Sequence, residues 1–240
     1  SFTAYLAVLR KRVDSAAPLA KELKEYGIGE SLILESVITR IFDPTDPLDK
    51  LTADVSVLRA KGAAASPLIA ALKAAGVGWR SIEAKVTRRV FDYAETAQDY
   101  ARHISALTRL MEISGVLLKT LREYTIDEKL IEENIESMIF DPGQSSQKLL
   151  VLVEKLQKRV EVIGPVIKVI VDNKINEGIA ARSPSKLLFS WSETDELFAE
   201  YAAVLRERVE AAAALVKKLQ GYGIDKELIE SRIVKKIFEE

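Results

Sequence analysis

The segment YGIDKELIESRIVKKIFEE, residues 222–240, decides the fold because similar segments occur four more times in the chain. These are YGIGESLILESVITRIFDP from Tyr26, AGVGWRSIEAKVTRRVFDY from Ala75, YTIDEKLIEENIESMIFDP from Tyr124 and, more loosely, NKINEGIAARSPSKLLFSW from Asn173. A phenylalanine near the end of each segment recurs at positions 42, 91, 140, 189 and 238, and every step equals 91 − 42 = 49 residues. This constant step indicates tandem duplication without insertion or deletion.

The period divides the chain into five copies, residues 1–49, 50–98, 99–147, 148–196 and 197–240, which we assign to a single repeat domain over residues 1–240. Every copy has a residue preferred at a helix N-cap near the start of its quoted segment. These residues are Gly29, Gly78, Asp127, Asn176 and Asp225. Three copies also have a glycine suited to the left-handed end of a preceding helix: Gly27, Gly76 and Gly223. Each copy is therefore expected to be a long helix joined by a short link to a shorter, antiparallel helix.

Apolar spacing sets the expected bounds of the two helices. The short helix of the first copy is expected over about residues 30–42, with a 3.6-residue apolar face formed by Ile33, Val37, Ile41 and Phe42. The long helix is expected over about residues 2–26, with an inward face formed by Leu6, Leu9, Val13, Leu19 and Leu23. Three long helices carry a proline at the same central position: Pro18, Pro67 and Pro165. Proline removes a backbone hydrogen bond, so we expect these helices to be bent or divided there, and we favour a bent single helix.

A helical hairpin of this size cannot bury its apolar face alone, so neighbouring copies are expected to stack on one another. Each copy would then supply part of its neighbour's core, which accounts for the repetition. The predicted fold class is all-α, with five tandem helical hairpins of period 49 arranged as an α-solenoid or a closed α-helical array.

The amino-acid composition excludes some kinds of functional site and indicates where the protein acts. The chain is 48% hydrophobic and 30% charged, and its formal net charge is −1. It has no cysteine, which excludes disulfides, thiolate metal sites and cysteine nucleophiles. The order of basic and apolar residues at the N-terminus is wrong for a secretory signal, and no apolar run approaches the ~18 residues of a membrane span. We expect a cytoplasmic protein without membrane contact, and the scarcity of asparagine beside many charged residues indicates a thermophilic source.

The sequence offers little for catalysis. Its single histidine, His103, lies on a long helix at a position that varies between copies. The phosphate-binding, zinc-protease and nucleophile-elbow motifs are absent. We therefore expect no enzymatic activity, no cofactor and no metal site.

Departures from the repeat are the candidates for protein contacts, because stacking does not require them. In the fourth copy Pro184 breaks the short-helix pattern, and we expect that helix to break or to start late, recapped by Ser183. Trp191 and Trp79 are candidate interaction anchors. The outer copies also keep apolar side chains where a polar cap is usual, and we predict self-association through these residues: Leu6, Leu9, Ile229, Ile233 and Phe238.

Two functions follow from these patterns. The first is a non-enzymatic interaction scaffold or self-assembling structural subunit, with another protein or itself as partner and with a homo-oligomer formed through the outer copies. The alternative is a nucleic-acid-binding helical repeat, in which basic residues at repeating positions follow the phosphates. The residues proposed for this role are Arg10, Arg12, Arg40, Arg59, Arg89, Arg206 and Arg208.

Overall fold

The structure is a computed structural model that describes residues 2–173, 175, 182–190 and 192–238, with the backbone alone at 182 and 183. Within these residues the protein is all-helical, with no strand, which confirms the predicted class. About ten helices pack against their neighbours. They are α1 (Phe2–Glu25), α2 (residues 30–41), α3 (Leu48–Ala74), α4 (residues 79–90), α5 (Ala97–Glu123), α6 (residues 128–139), α7 (Ser146–Asp172), α8 (Arg182–Leu188), α9 (Asp195–Gly221) and α10 (residues 226–238).

Helix boundaries follow the sequence period. The helices α3, α5, α7 and α9 are each 27 residues long. They begin at residues 48, 97, 146 and 195, so that each start lies 97 − 48 = 49 residues after the last. The helix α1 contains Pro18, α3 contains Pro67 and α7 contains Pro165, and all three helices continue through the proline. The long helices are therefore not divided.

The predicted helix starts are confirmed where the structure describes them. Gly29 and Gly78 are the N-caps of α2 and α4. The side chain of Asp127 accepts a hydrogen bond from the Lys129 backbone N–H, and Asp225 accepts one from Leu228. These carboxylates satisfy backbone donors that the first turn of a helix leaves free. The fifth predicted N-cap, Asn176, lies outside the described residues.

A tight turn joins α1 to α2. Gly27 has φ +83°, in the left-handed region where glycine is favoured. Its N–H donates to the carbonyl of Lys24 at 3.0 Å, and the next N–H, of Ile28, donates to Leu23 at 3.0 Å. This pair of bonds is the Schellman motif, which ends one helix and turns the chain at once into the next. Gly76 and Gly223 have φ +82° and +72° at the equivalent positions, while the third copy uses Thr125 at φ 56°.

Four of the short helices contain a wider, π-helical turn of five residues that the sequence analysis did not predict. These turns are Leu34–Ile38 in α2, Glu83–Thr87 in α4, Glu132–Glu136 in α6 and Glu230–Val234 in α10. In α2 the buried residues Ile33, Val37 and Ile41 are spaced by four. An α-helix rotates about 100° per residue, so this spacing would move the apolar side chains off one face by about 40° at each step. The wider turn removes that drift and keeps them on one line.

Two expectations about apolar faces are wrong. Phe42 does not belong to the inner face of α2, because it follows the last helical residue and its side chain is largely exposed. In α1, Leu19 and Leu23 are fully buried as expected, but Leu6 and Val13 are exposed. Both exposed residues lie in the first half of α1.

The chain divides into two compact units. Unit 1 comprises residues 1–112 and 140–142, and in it α1 packs along α3. Unit 2 comprises residues 113–139 and 143–240, and in it α7 packs along α9. Each unit has an aliphatic core of its own, with Leu68 and Leu72 among the fully buried residues of unit 1 and Ile163 and Ile167 among those of unit 2.

Glycine permits the closest approach between two hairpins in unit 2. Gly164 lies inside α7, and a Cβ placed there would be 2.5 Å from Cδ2 and 2.6 Å from Cγ of Tyr124. Real carbon atoms do not come so close, so the tyrosine ring rests directly on the helix backbone. In unit 1, a Cβ on Gly62 of α3 would likewise lie 2.7 Å from Leu23 and 2.9 Å from Tyr26.

We expect Gly164→Ala to destabilise the protein by about 1–3 kcal/mol, because overpacking must displace the Tyr124 ring or the helix. Helix propensity alone would change stability by about 1 kcal/mol in the opposite direction. Urea unfolding measures the difference. The matched control is Gly221→Ala at the end of α9, where an added Cβ meets nothing within 4 Å. A Gly164→Ala variant as stable as Gly221→Ala would contradict this account of the contact.

Candidate functional site

One position of the long helices carries a buried cation. Arg12 in α1, Lys61 in α3 and Arg159 in α7 are all nearly inaccessible to solvent. They are separated by 61 − 12 = 49 and 159 − 61 = 98 residues, so they occupy the same position in three copies. The third copy has Leu110 at this position and the fifth has Arg208, which is exposed.

Arg12 and Arg159 hold the loops that follow the short helices. In unit 1, Nε of Arg12 donates to the carbonyl of Ile41 at 2.9 Å, and its other nitrogens reach the carbonyls of Arg40 and Asp46. In unit 2, Arg159 donates from Nη1 to Ser190 at 2.6 Å and from Nη2 to Glu193 at 2.7 Å. Each guanidinium therefore gathers carbonyl oxygens from a helix end and from the loop beyond it.

Lys61 does the same with a single bond, from Nζ to the carbonyl of Asp92 at 2.7 Å. Burial lowers the pKa of Lys61, while the nearby Glu95 and Asp92 oppose that shift. The last carbonyls of a helix lack partners within it and carry the negative end of its dipole, so a cation is well placed there. The hydrogen bond to the Asp92 carbonyl and the nearby acidic side chains offset part of the cost of burying this charge.

An apolar or aromatic side chain from the next long helix covers each of two buried cations. Lys61 Nζ lies 5.5 Å from the centre of the Tyr100 ring, in unit 1. The Arg159 guanidinium lies 4.8 Å from the centre of the Phe198 ring, in unit 2. Both distances are within the range of a cation–π contact. The rings occupy equivalent positions, because 198 − 100 = 98 residues, or two periods.

The arginines proposed to bind phosphate have partners within the fold. Arg12 is buried and serves as a loop clamp, so its assignment to a nucleic-acid surface is wrong. The remaining exposed or half-buried arginines make the following bonds: Arg40 to Asp46 and Asp54, both at 2.8 Å; Arg89 to Glu95 at 2.9 and 2.7 Å; Arg59 to Glu22 at 2.6 Å; Arg206 to the Val162 carbonyl at 3.2 Å; and Arg208 to the Ile237 carbonyl at 3.3 Å. Arg10 is exposed on α1.

His103 is half-buried on α5. Its Nε2 is the one buried side-chain polar atom, among the described residues, that has no hydrogen-bond partner. Burial lowers the pKa of His103, and the positive charge of Arg89 lowers it further, while Glu95 opposes both. In the described part of the chain, no group of three or more His, Cys, Asp or Glu residues could hold a metal ion.

Of the candidate contact residues in the irregular segments, Trp79 is 36% exposed, whereas Pro184 is buried. Trp79 begins α4, and its ring packs on the adjacent hairpin, since a Cβ on Gly29 would lie 3.1 Å from Cζ2 of Trp79. Lys73 Nζ lies 5.0 Å from the centre of the same ring. Pro184 is buried in the first turn of α8, where proline needs no donor, so it is not a surface contact. The helix α8 begins at Arg182, before the proposed cap; the side chain of Ser183 and all of Trp191 lie outside the described residues.

Large apolar side chains are exposed on the first and last long helices. On α1 they include Phe2, Leu6 and Val13, which we call the N-face. On α9 and α10, with the link between them, they include Leu215, Tyr222, Ile224 and Leu228, which we call the C-face. The predicted outer residues were only partly correct: Leu9 is half-buried, Ile229 is buried inside its own hairpin, and Ile233 and Phe238 are half-buried.

Equivalent positions in the other copies are buried. Leu228 is 51% exposed, whereas Leu32, which lies 228 − 32 = 196 residues or four periods earlier, is 8% exposed. Ile224 is 42% exposed and its equivalent Ile28 is 3%. On the N-face, Phe2 is 73% exposed and its equivalent Leu51 is 1%. The difference in exposure between these equivalent residues distinguishes the two faces from the packed sides of the other hairpins.

The clamp makes Arg159 important for folding. We expect Arg159→Met to lower the free energy of unfolding by about 2–4 kcal/mol, because the carbonyls of Ser190 and Glu193 lose their donors. The control is Arg206→Met on the exposed side of α9, with an expected change within about 0.5 kcal/mol. Chemical denaturation compares the two. Equal losses would show that the clamp contributes no more than a surface arginine.

The His103 environment predicts a pH dependence. Because burial lowers the pKa of His103 in the folded state, the unfolded chain, with a histidine pKa near 6.5, binds more protons. The parent should therefore lose stability as the pH falls from about 7.5 to 5.5, and His103→Leu should lose less, since it removes the chain's single histidine. Thermal unfolding at several pH values measures both slopes. Parallel slopes would contradict the proposed burial of the ring.

One described helix, Leu48–Ala74, is long and apolar enough to cross a membrane by length and composition, a test that a packed core helix also passes. In this structure the helix includes the buried Lys61 and contacts α1. Comparison with known protein families, with curated proteins and with solved structures finds no match to the chain.

Proposed function

We propose that the protein is a non-enzymatic helical-repeat protein that works through its surfaces, as an interaction scaffold or a self-assembling structural subunit. In this proposal the five copies are helical hairpins stacked as an α-solenoid or a closed array, in one repeat domain. The constant 49-residue step between helix starts supports it. The observation that supports the proposed scaffold function is the exposure of the N-face and the C-face, because exposed apolar patches mark contact sites.

The perturbed ionisable groups support a structural role over a catalytic one. Desolvation raises the pKa of Tyr100 and of Glu136, and lowers that of Lys61. Each has a partner that the fold itself requires: Tyr100 donates to the Val86 carbonyl at 3.1 Å, and Glu136 pairs with Arg122. A perturbed pKa points to catalysis only when the group lies open in a cleft, and these three groups are buried.

Nucleic-acid binding, the alternative function, has less support. Arginines can follow a phosphate backbone only with their N–H groups turned to solvent. Arg12 is buried. Arg40, Arg59 and Arg89 each form an ion pair with a carboxylate of the same chain, so part of their N–H groups is already bonded. Those carboxylates also cancel the positive potential that would attract phosphate. We propose in addition that the protein acts in the cytoplasm of a thermophilic organism, which fits a cysteine-free chain rich in charged residues.

Site-specific photo-cross-linking in the cells that produce the protein tests the scaffold function. A photoreactive side chain at Leu228 or Phe2, both exposed, should give a discrete protein adduct, because these positions lie in the two faces. The same group at Val116, an exposed apolar position of α5 outside both faces, is the matched control. Mass spectrometry of the adducts identifies what is attached.

Discrete adducts from the two faces and none from Val116 are the expected outcome. Adducts to nucleic acid in place of protein would favour the alternative function. Equal labelling from all three positions, or none from any, would contradict a scaffold that works through these faces.

A further inference from the structure

We infer that a cavity between α7 and α9 in unit 2 binds a short aliphatic monocarboxylate, of the size of propionate, through the guanidinium of Arg206. This site goes beyond the proposed scaffold function and involves neither the N-face nor the C-face. It follows from a comparison with the equivalent contact in unit 1, where a glutamate of the chain supplies the carboxylate.

The cavity has a volume of about 50 Å³. Three residues of α7 and three of α9 line it: Pro165, Val166, Val169, Arg206, Val209 and Glu210. Val166 and Val209 are buried, whereas Pro165, Arg206 and Glu210 are exposed. The cavity therefore has an apolar inner end and a charged opening.

Each residue that lines the cavity has an equivalent in the contact between α1 and α3 of unit 1. The shift is 206 − 59 = 147 residues, or three periods, for all six. The equivalents, in the same order, are Pro18, Leu19, Glu22, Arg59, Gly62 and Ala63. The proline and the arginine are the same in both units, but the glutamate of unit 1 is replaced by Val169.

This replacement removes the partner of the arginine. In unit 1, Nε of Arg59 donates to Oε2 of Glu22 at 2.6 Å, so the ion pair joins two adjacent hairpins. In unit 2 the side chain of Val169 is shorter and has no carboxylate for Arg206. The cavity is thus lined by the same positions that surround an ion pair in unit 1, with the carboxylate missing.

Arg206 keeps most of its N–H groups for another partner. Its Nη2 donates to the Val162 carbonyl at 3.2 Å, and its guanidinium makes no other hydrogen bond or ion pair among the described residues. Glu210 lies four residues later on α9, in the order that is less favourable for a helical ion pair. Because the N–H groups of a guanidinium form a planar fork, they match the two oxygens of a carboxylate.

The size and polarity of the cavity select the ligand. One water needs about 10–15 Å³ of such a volume, so about four non-hydrogen atoms fit inside. Propionate has five, and its oxygens would lie at the opening beside Arg206 while its alkyl carbons contact Val166 and Val209. Glu210 at the opening repels a second negative charge, so a dicarboxylate such as succinate should bind less well.

The side of the long helices that carries the opening faces solvent throughout the chain. The position of Pro165 is exposed in all five copies, at Pro18, Pro67, Val116, Pro165 and Ala214. Ala63, the equivalent of Glu210, is also exposed, although further hairpins follow α3 in the chain. A neighbouring hairpin therefore leaves this side of a long helix open.

An NMR titration of the folded chain with sodium propionate, at neutral pH and constant ionic strength, tests the inference. The amide signals of Val166, Val169 and Val209 should shift and saturate, with a dissociation constant of about 0.1–10 mM for so small a ligand. Propionamide has the same shape without the charge, and it should bind at least about tenfold more weakly. A parent without saturable shifts up to about 100 mM propionate, or one that binds propionamide equally well, overturns the inference.

Two variants locate the site. Val169→Glu supplies the carboxylate from the chain itself, as Glu22 does in unit 1, and it should abolish propionate binding. Arg206→Met should weaken binding at least about tenfold, because the charge-assisted hydrogen bonds are lost. Circular dichroism checks that each variant is folded. If either folded variant bound propionate as the parent does, the ligand would lie elsewhere and the inference would be wrong.

A gain-of-function variant tests the role of the charge at the opening. Glu210→Ala introduces the residue that unit 1 has at this position, and it should tighten propionate binding about two- to fivefold by removing a like charge. The matched control is Glu207→Ala, an exposed position of α9 that does not line the cavity and should leave the affinity unchanged. Weaker binding by Glu210→Ala, or an equal change in both variants, would contradict the assigned position of the carboxylate.

Discussion

The rest of the structure depends on a buried cation that holds the end of one helix to the start of the next. Arg159 joins the carbonyls of Ser190 and Glu193 to the Asp195 carboxylate, so one side chain fixes both sides of the loop. The loop carbonyls would otherwise be buried without donors, at a cost of about 1–3 kcal/mol each. The Arg159 side chain thus fixes, from inside the hairpin, the loop from which α9 begins.

The clamp also couples one hairpin to its neighbour. The cation belongs to one long helix, while the ring that covers it, Tyr100 or Phe198, belongs to the next. Removing the neighbour would therefore expose a charge that the fold has placed among carbonyls, together with the apolar side chains around it. In the proposed repeat arrangement, stability would be approximately the sum of each repeat and its contacts with neighbours, and this contact between cation and ring would be one of the contacts between neighbours.

The sequence predicted the helical class, the hairpin bounds and the left-handed glycines, because those depend on local signals such as Gly27 and Asp127. It did not predict the burial of Lys61, since a lysine is rarely buried and its partner, the Asp92 carbonyl, is a backbone group that no sequence pattern marks. The π-helical turns were not predicted, because the spacing of four between Ile33, Val37 and Ile41 is also typical of the apolar face of an α-helix. Phe42 was wrongly predicted to lie in the core, because a phenylalanine recurs regularly at this position. In the structure the helix has already ended at Ile41.

The contact between adjacent hairpins in unit 1 uses two different sides of the same helical motif. A Cβ on Gly27 would lie 3.2 Å from Ile69, and one on Gly29 would lie 3.1 Å from Trp79, so the link of the first hairpin is covered by the second. A Cβ on Gly62 of the second hairpin would lie 2.7 Å from Leu23 and 2.9 Å from Tyr26 of the first. Similar sequences can therefore supply both sides of one contact, which is how stacked helical motifs bury a shared core.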